Sequence, residues 1–109
     1  MESAFVDGVL TIRLQGQITF QTVNSVQDVL ARSLHDPALR VVEFDLREVD
    51  FIDSAGLSVL AMPRKSRPIP RGVRLLVTHN SQPDRVVRLA RFDLMMEIVR
   101  MPSNSAATA

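Results

Sequence analysis

The chain has 109 residues, 46% hydrophobic and 23% charged, the balance of one folded domain rather than of a disordered segment or an array of domains. It carries 13 basic and 12 acidic residues for a net charge of +1 and has no cysteine, which excludes disulfides and thiolate metal sites and argues against a strongly cationic nucleic-acid binder. The opening MESAFVDGVL has neither the basic segment nor the apolar core of a secretory leader, and no run approaches the roughly 20 apolar residues of a membrane span, so a cytoplasmic location without direct membrane insertion is expected.

The first elements read as a hairpin. Ala4-Phe5-Val6 and Leu10-Thr11-Ile12-Arg13-Leu14 flank Asp7-Gly8, a dipeptide that tolerates the positive φ angles of a tight turn. Beyond Gly16, Val23, Val26, Val29, Leu30 and Leu34 recur at three- and four-residue spacing and predict an amphipathic helix that stops before Pro37. Residues 40–46 (RVVEFDL) alternate Val42, Phe44 and Leu46 with Glu43 and Asp45, the pattern of a strand with one packed and one polar face. A helix follows from Ala55 with Leu57, Leu60 and Ala61 at helical spacing, and Pro63 is expected to kink or shorten it. Pro68 and Pro70 make residues 67–72 a stiff connection to residues 73–77 (VRLLV), an apolar run suited to a buried strand. Ser81, with Pro83 and Asp84 in the first turn, opens the next helix through Val86, Val87 and Leu89. Residues 94–99 fit either a last strand or a short helix, and the small polar tail 102–109 is expected to be disordered, leaving a folded domain over 1–101. The order predicts an α/β domain: a mixed, mostly parallel sheet of four to five strands with helices packed against it.

Charge is unevenly placed. Residues 1–53 hold nine acids against four arginines, whereas 54–83 hold five basic residues and no acid. The run RKSRPIPRGVR (64–74) contains no aromatic residue for base stacking, so it reads as a solvated loop and direct nucleic-acid binding is not expected.

The stretch DFIDSAGLSVL (50–60) sets acids and a small polar turn between an apolar strand pattern and an apolar helix pattern, at a carboxyl end of a strand where such sheets place their ligands and partners. Three roles compete for Ser54. Asp53 or Ser54 can cap the helix, although Gly56 and Leu57 stand where a capping box needs Glu or Gln. A nucleophile is disfavoured: Ile52 replaces the first glycine of Gly-x-Ser-x-Gly, and neither His35 nor His79 is placed beside Ser54 by the sequence. Asp45, Asp50 and Asp53 lack any recognised metal spacing. As a switch, a phosphate on Ser54 meets the free amides of a helix start, while Asp50 and Asp53 make the added charge costly to desolvate against a partner.

LREVDFIDSAGLSVL resembles the signature of STAS domains, in particular bacterial anti-sigma factor antagonists, and TIRLQGQIT and VRLLVTHNSQPDRVVRLARFDL extend the resemblance over residues 4–101. The resemblance implies a non-enzymatic protein; no cofactor is expected, and a metal site is unsupported by the residues. In its unphosphorylated form such a protein binds an anti-sigma factor that is also a serine kinase and so frees a sigma factor; the kinase inactivates it by phosphorylation and a phosphatase restores it. The acceptor implied here is Ser54, with a partner-binding surface of Thr19, Phe20, Asp50, Asp53, Ser54, Ala55, Gly56 and Ser58. Three features depart from the family pattern: Thr19 stands where the early motif usually has Asp, Arg91-Phe92-Asp93-Leu94 lacks the customary glycine, and Pro63 interrupts the motif helix early. GQITFQTV also resembles the early segment of STAS subunits in bacterial lipid-transport ABC complexes, which implies the alternative of a regulatory subunit of a transporter.

Overall fold

Asp7 and Gly8 both take positive φ, 51° and 81°, and the turn they make folds β1 (Glu2–Val6) antiparallel onto β2 (Val9–Ile18) in the computed structural model, which describes residues 1–103. From there the chain repeats one step. α1 (Asn24–Ser33) leads to β3 (Val41–Ile52), α2 (Ser54–Ser66) to β4 (Val73–Thr78), and α3 (Gln82–Leu89) with a 3-10 turn at Phe92–Leu94 to β5 (Glu97–Met101). The strands lie in the order β1-β2-β3-β4-β5, and β2 to β5 are mutually parallel. Each crossover therefore leaves from the same end of the sheet, and the carboxyl ends of β2, β3 and β4 are gathered there.

The core occupies one side of this sheet. Leu10, Ile12 and Leu14 of β2, Val42, Phe44 and Leu46 of β3, and Val73, Leu75 and Val77 of β4 are buried in a single cluster with Val26 and Leu30 of α1, Val59 and Leu60 of α2 and Val87 of α3. Strand residues alternate between faces, so their neighbours in sequence form the other side. There Thr11, Glu43, Arg74 and Glu97 share one register row, and Arg13, Asp45, Leu76 and Val99 the next. Arg74 bridges Glu43 at 2.7 Å and Glu97 at 3.0 Å across three strands. A parallel sheet covered on one face explains why β4, expected to be wholly buried, alternates instead between buried Val73, Leu75 and Val77 and half-buried Arg74, Leu76 and Thr78.

Two sequence expectations need correction. β3 does not stop near Leu46 but runs to Ile52, pairing with β2 through two register shifts that disturb the alternation from which strands are recognised. α2 is not short: it spans 13 residues and continues through Pro63. The proline deletes one backbone donor only, its ring is buried, and Ser66 Oγ donates to the Met62 carbonyl at 2.8 Å just beyond it. Asp45 lies on the polar face as expected, yet it is buried there with 5% exposure. Arg47 donates to it through Nε at 2.9 Å and Nη2 at 2.7 Å, and this guanidinium holds the Asp45 carboxyl below its ordinary range against the opposing effect of burial. Of residues 94–99, Leu94 closes the 3-10 turn and 97–99 belong to β5. The expectation for the tail falls, from residue 104 onward, outside the described residues.

Candidate functional site

β3 ends at Ile52, and the next three residues build a turn over the gathered strand ends. Asp53 is extended (φ −102°, ψ −172°) and is the helix cap: its Oδ1 accepts the Gly56 N–H at 2.9 Å. Its Oδ2 accepts the Phe20 N–H at 3.2 Å, and its own N–H donates to the Ile18 carbonyl at 3.1 Å. One carboxylate thus fastens the start of α2 to the loop after β2. Ser54 is then the first helical residue and exposed, and its hydroxyl has no hydrogen-bond partner among the described residues. Since Asp53 does the capping, the serine oxygen is free for other chemistry.

Gly56 faces inward. A Cβ there would lie 2.5 Å from Ile52 Cγ1 and 2.6 Å from the Ile18 carbonyl oxygen, so the helix can sit this close over β2 and β3 only without a side chain. The close approach expected at Gly56 is to the chain's own strands, and the residue is buried rather than part of an outer surface. Thr19 organises the other rim of the turn: its carbonyl accepts the N–H groups of Thr22 and Val23, and its Oγ1 accepts the Gln21 N–H at 3.3 Å. Phe20 stands 71% exposed beside it. Ala55 and Ser58 line a groove of about 490 Å³ between α1 and α2, together with Val23, Gln27, Val59 and Met62. Asp50 is exposed on β3, and no side-chain bond ties it to the turn among the described residues. The fold therefore brings Thr19, Phe20, Asp53 and Ser54 together, extends that surface through Ala55 and Ser58, and sets Gly56 beneath it.

A protein-family model for the STAS domain matches residues 1–105, nearly the whole chain. The chain belongs to the STAS domain family. Solved structures of this fold include an anti-sigma factor antagonist from Mycobacterium paratuberculosis, with 20% identity and a TM-score of 0.78 over 98% of this chain and 88% of that one. The Bacillus cell fate determinant SpoIIAA in its phosphorylated form matches with 14% identity and a TM-score of 0.65 over 98% and 96% of the two chains. A sulfate transporter family protein from Wolinella succinogenes matches with 18% identity and a TM-score of 0.60 over 90% and 82%. At these identities the likeness is one of fold.

Three features of this STAS domain were not legible as site or scaffold in its sequence. The basic run 64–74 is not simply a solvated loop: its first residues form the last turn of α2, where Arg64 Nε donates to the Met95 carbonyl at 3.3 Å, and just beyond it Arg67 Nη1 donates to the Leu34 carbonyl at 2.9 Å, capping the end of α1. His79 belongs to the α3 start, with Nδ1 4.0 Å from Asp84 Oδ2, rather than to Ser54. Gln82, in the first turn of α3, hydrogen-bonds both backbone groups of Ile52 just before the Ser54 turn; nothing local in the sequence signals it, because its partner is 30 residues away. Among the described residues no helix is long and apolar enough to cross a membrane.

Proposed function

We propose that this STAS domain is an anti-sigma factor antagonist: with Ser54 unmodified it binds an anti-sigma factor that is also a serine kinase, and phosphorylation of Ser54 by that kinase releases it. The observation that carries the reading is Ser54 itself, an exposed first-turn serine whose capping duty has been taken by Asp53. Fold likeness to antagonists supports the same reading, among them SpoIIAA, an anti-sigma factor antagonist solved in both its unphosphorylated and its phosphorylated form. A phosphate at this position carries a charge of about −1.5 to −2, and it would stand next to Asp53 on the surface formed by Thr19, Phe20, Ala55 and Ser58. That charge must be desolvated whenever a partner covers the site. Asp50 contributes further negative charge, and a phosphatase returns the domain to its binding state. The protein acts as a binding switch without chemistry of its own.

The test is affinity capture from host lysate with the wild-type protein and with Ser54→Asp. Retention of a serine kinase of the anti-sigma type by the wild type, and its loss with Ser54→Asp, supports the proposal. The likeness to a sulfate transporter family protein favours one alternative, a STAS subunit regulating a transporter, of which a lipid-transport ABC complex is the form that GQITFQTV suggests. Capture of a transporter ATPase or permease equally by both proteins would establish that alternative instead.

A further inference from the structure

β3 and β4 are paired only from Val42↔Val73 to Asp45↔Leu76, yet β3 continues to Ile52. Along that extension no ladder pair joins β3 to β4 among the described residues, and the backbone groups on that flank need other partners. Side chains from the end of β4 and the start of α3 supply them. Thr78 Oγ1 donates to the Arg47 carbonyl at 3.1 Å. Gln82 Nε2 donates to the Ile52 carbonyl at 3.0 Å while Gln82 Oε1 accepts the Ile52 N–H at 2.9 Å. A primary amide offers the same donor and acceptor as a peptide group, so Gln82 stands in for the missing strand residue.

The base on which Gln82 stands is itself fixed. Ser81 caps α3, and buried Asp84 accepts the Asn80 N–H at 2.9 Å, Arg100 at 2.8 Å and Arg88 at 3.1 Å. On the opposite flank Asp53 is bonded to Ile18 and Phe20. The pair Ile52-Asp53, immediately before Ser54, is thereby held from both sides.

We propose that Gln82 is a positioning residue for Ser54: by pinning Ile52 it keeps the Ser54 turn in a single geometry, so that modification of the serine changes the charge of a preformed surface rather than its shape. The significance of this role rests on the reading of Ser54 as the regulated residue, but its test does not. The chain has no cysteine, so Ser54→Cys introduces a single thiol whose pKa, set by the first-turn amides, reports the geometry of the turn. That pKa is read from the pH dependence of alkylation by iodoacetamide, and the exchange rate of the Ile52 amide is read by NMR. Both are measured in Ser54→Cys alone and combined with Gln82→Met, Gln82→Ala or, as a control on β5, Val99→Ala.

Either Gln82 substitution is expected to speed Ile52 exchange at least about tenfold and to raise the thiol pKa toward its ordinary value of about 8.5. The Val99 control should leave both unchanged. Unchanged Ile52 exchange would mean that no clamp exists; a freed Ile52 amide with an unchanged thiol would mean that Gln82 ties the strand end without positioning residue 54. Either result overturns the proposal. Neither readout involves a partner or a kinase, so failure here is distinct from failure of the capture experiment.

Discussion

Two neighbouring residues in the turn have opposite duties, and substitution separates them. Asp53 satisfies the Gly56 N–H and the Phe20 N–H with one carboxylate, so Asp53→Ala should destabilise the domain by about 1–2 kcal/mol, the usual effect of losing a helix cap. Ser54→Ala removes a hydroxyl that bonds to nothing among the described residues and should stay within about 0.5 kcal/mol of wild type. Urea denaturation at pH 7 distinguishes the two outcomes. Gly56→Ala sets two effects against each other. Alanine favours a helix over glycine by roughly 0.5–1 kcal/mol. The added Cβ, however, meets a backbone carbonyl at 2.6 Å and Ile52 Cγ1 at 2.5 Å, and such overpacking costs about 1–3 kcal/mol. The carbonyl cannot rotate away, so the steric effect wins and the denaturation midpoint should fall.

Among the elements, α3 carries one fully buried charge. Asp84 is fully buried; burial alone pushes its carboxyl up, but the Asn80 N–H and the guanidinium groups of Arg88 and Arg100 together bring it below the ordinary carboxylate range. A depressed folded-state pKa stabilises the fold above the unfolded value of about 3.9, and that stability is lost as pH falls through the folded value. Asp84→Ala should therefore cost about 2–4 kcal/mol at pH 7, somewhat less than a fully buried pair because Arg88 and Arg100 keep 45% and 33% exposure. The gap between variant and wild type should close on acidification below about pH 4, which urea titrations at a series of pH values would register. The elements also show what local sequence can encode. The Asp7-Gly8 hairpin and the three- and four-residue spacing of α1 were readable because their determinants are neighbours. The run of β3 to Ile52 and of α2 past Pro63 was not, because one depends on pairing with a register-shifted β2 and the other on the burial of the proline ring. Likewise the motif revealed Ser54 and Asp53, whereas Gln82 becomes meaningful only once folding brings it to Ile52.

At the scale of the whole molecule, the one-sided sheet separates the core from the turn that carries Ser54. The core and all three helices occupy one face, while Ser54 lies at the rim where the strand ends are gathered, exposed and bonded to none of the core residues. A negative charge placed there gains roughly 0.3–1 kcal/mol from the start of α2 and loses a comparable amount to Asp53 beside it. Ser54→Asp should consequently unfold within about 1 kcal/mol of wild type, with an unchanged far-ultraviolet circular dichroism spectrum. Its effect on a bound partner is of another size. Covering an additional charge without a counter-ion takes on the order of 3 kcal/mol from an interface, and that weakens affinity about a hundredfold. Thermal unfolding and titration calorimetry with the captured partner would read the two quantities on the same preparation. A large loss of affinity with preserved stability identifies Ser54 as a switch on a finished surface. Parallel losses of both would instead make the residue part of the scaffold, in conflict with its position above the core.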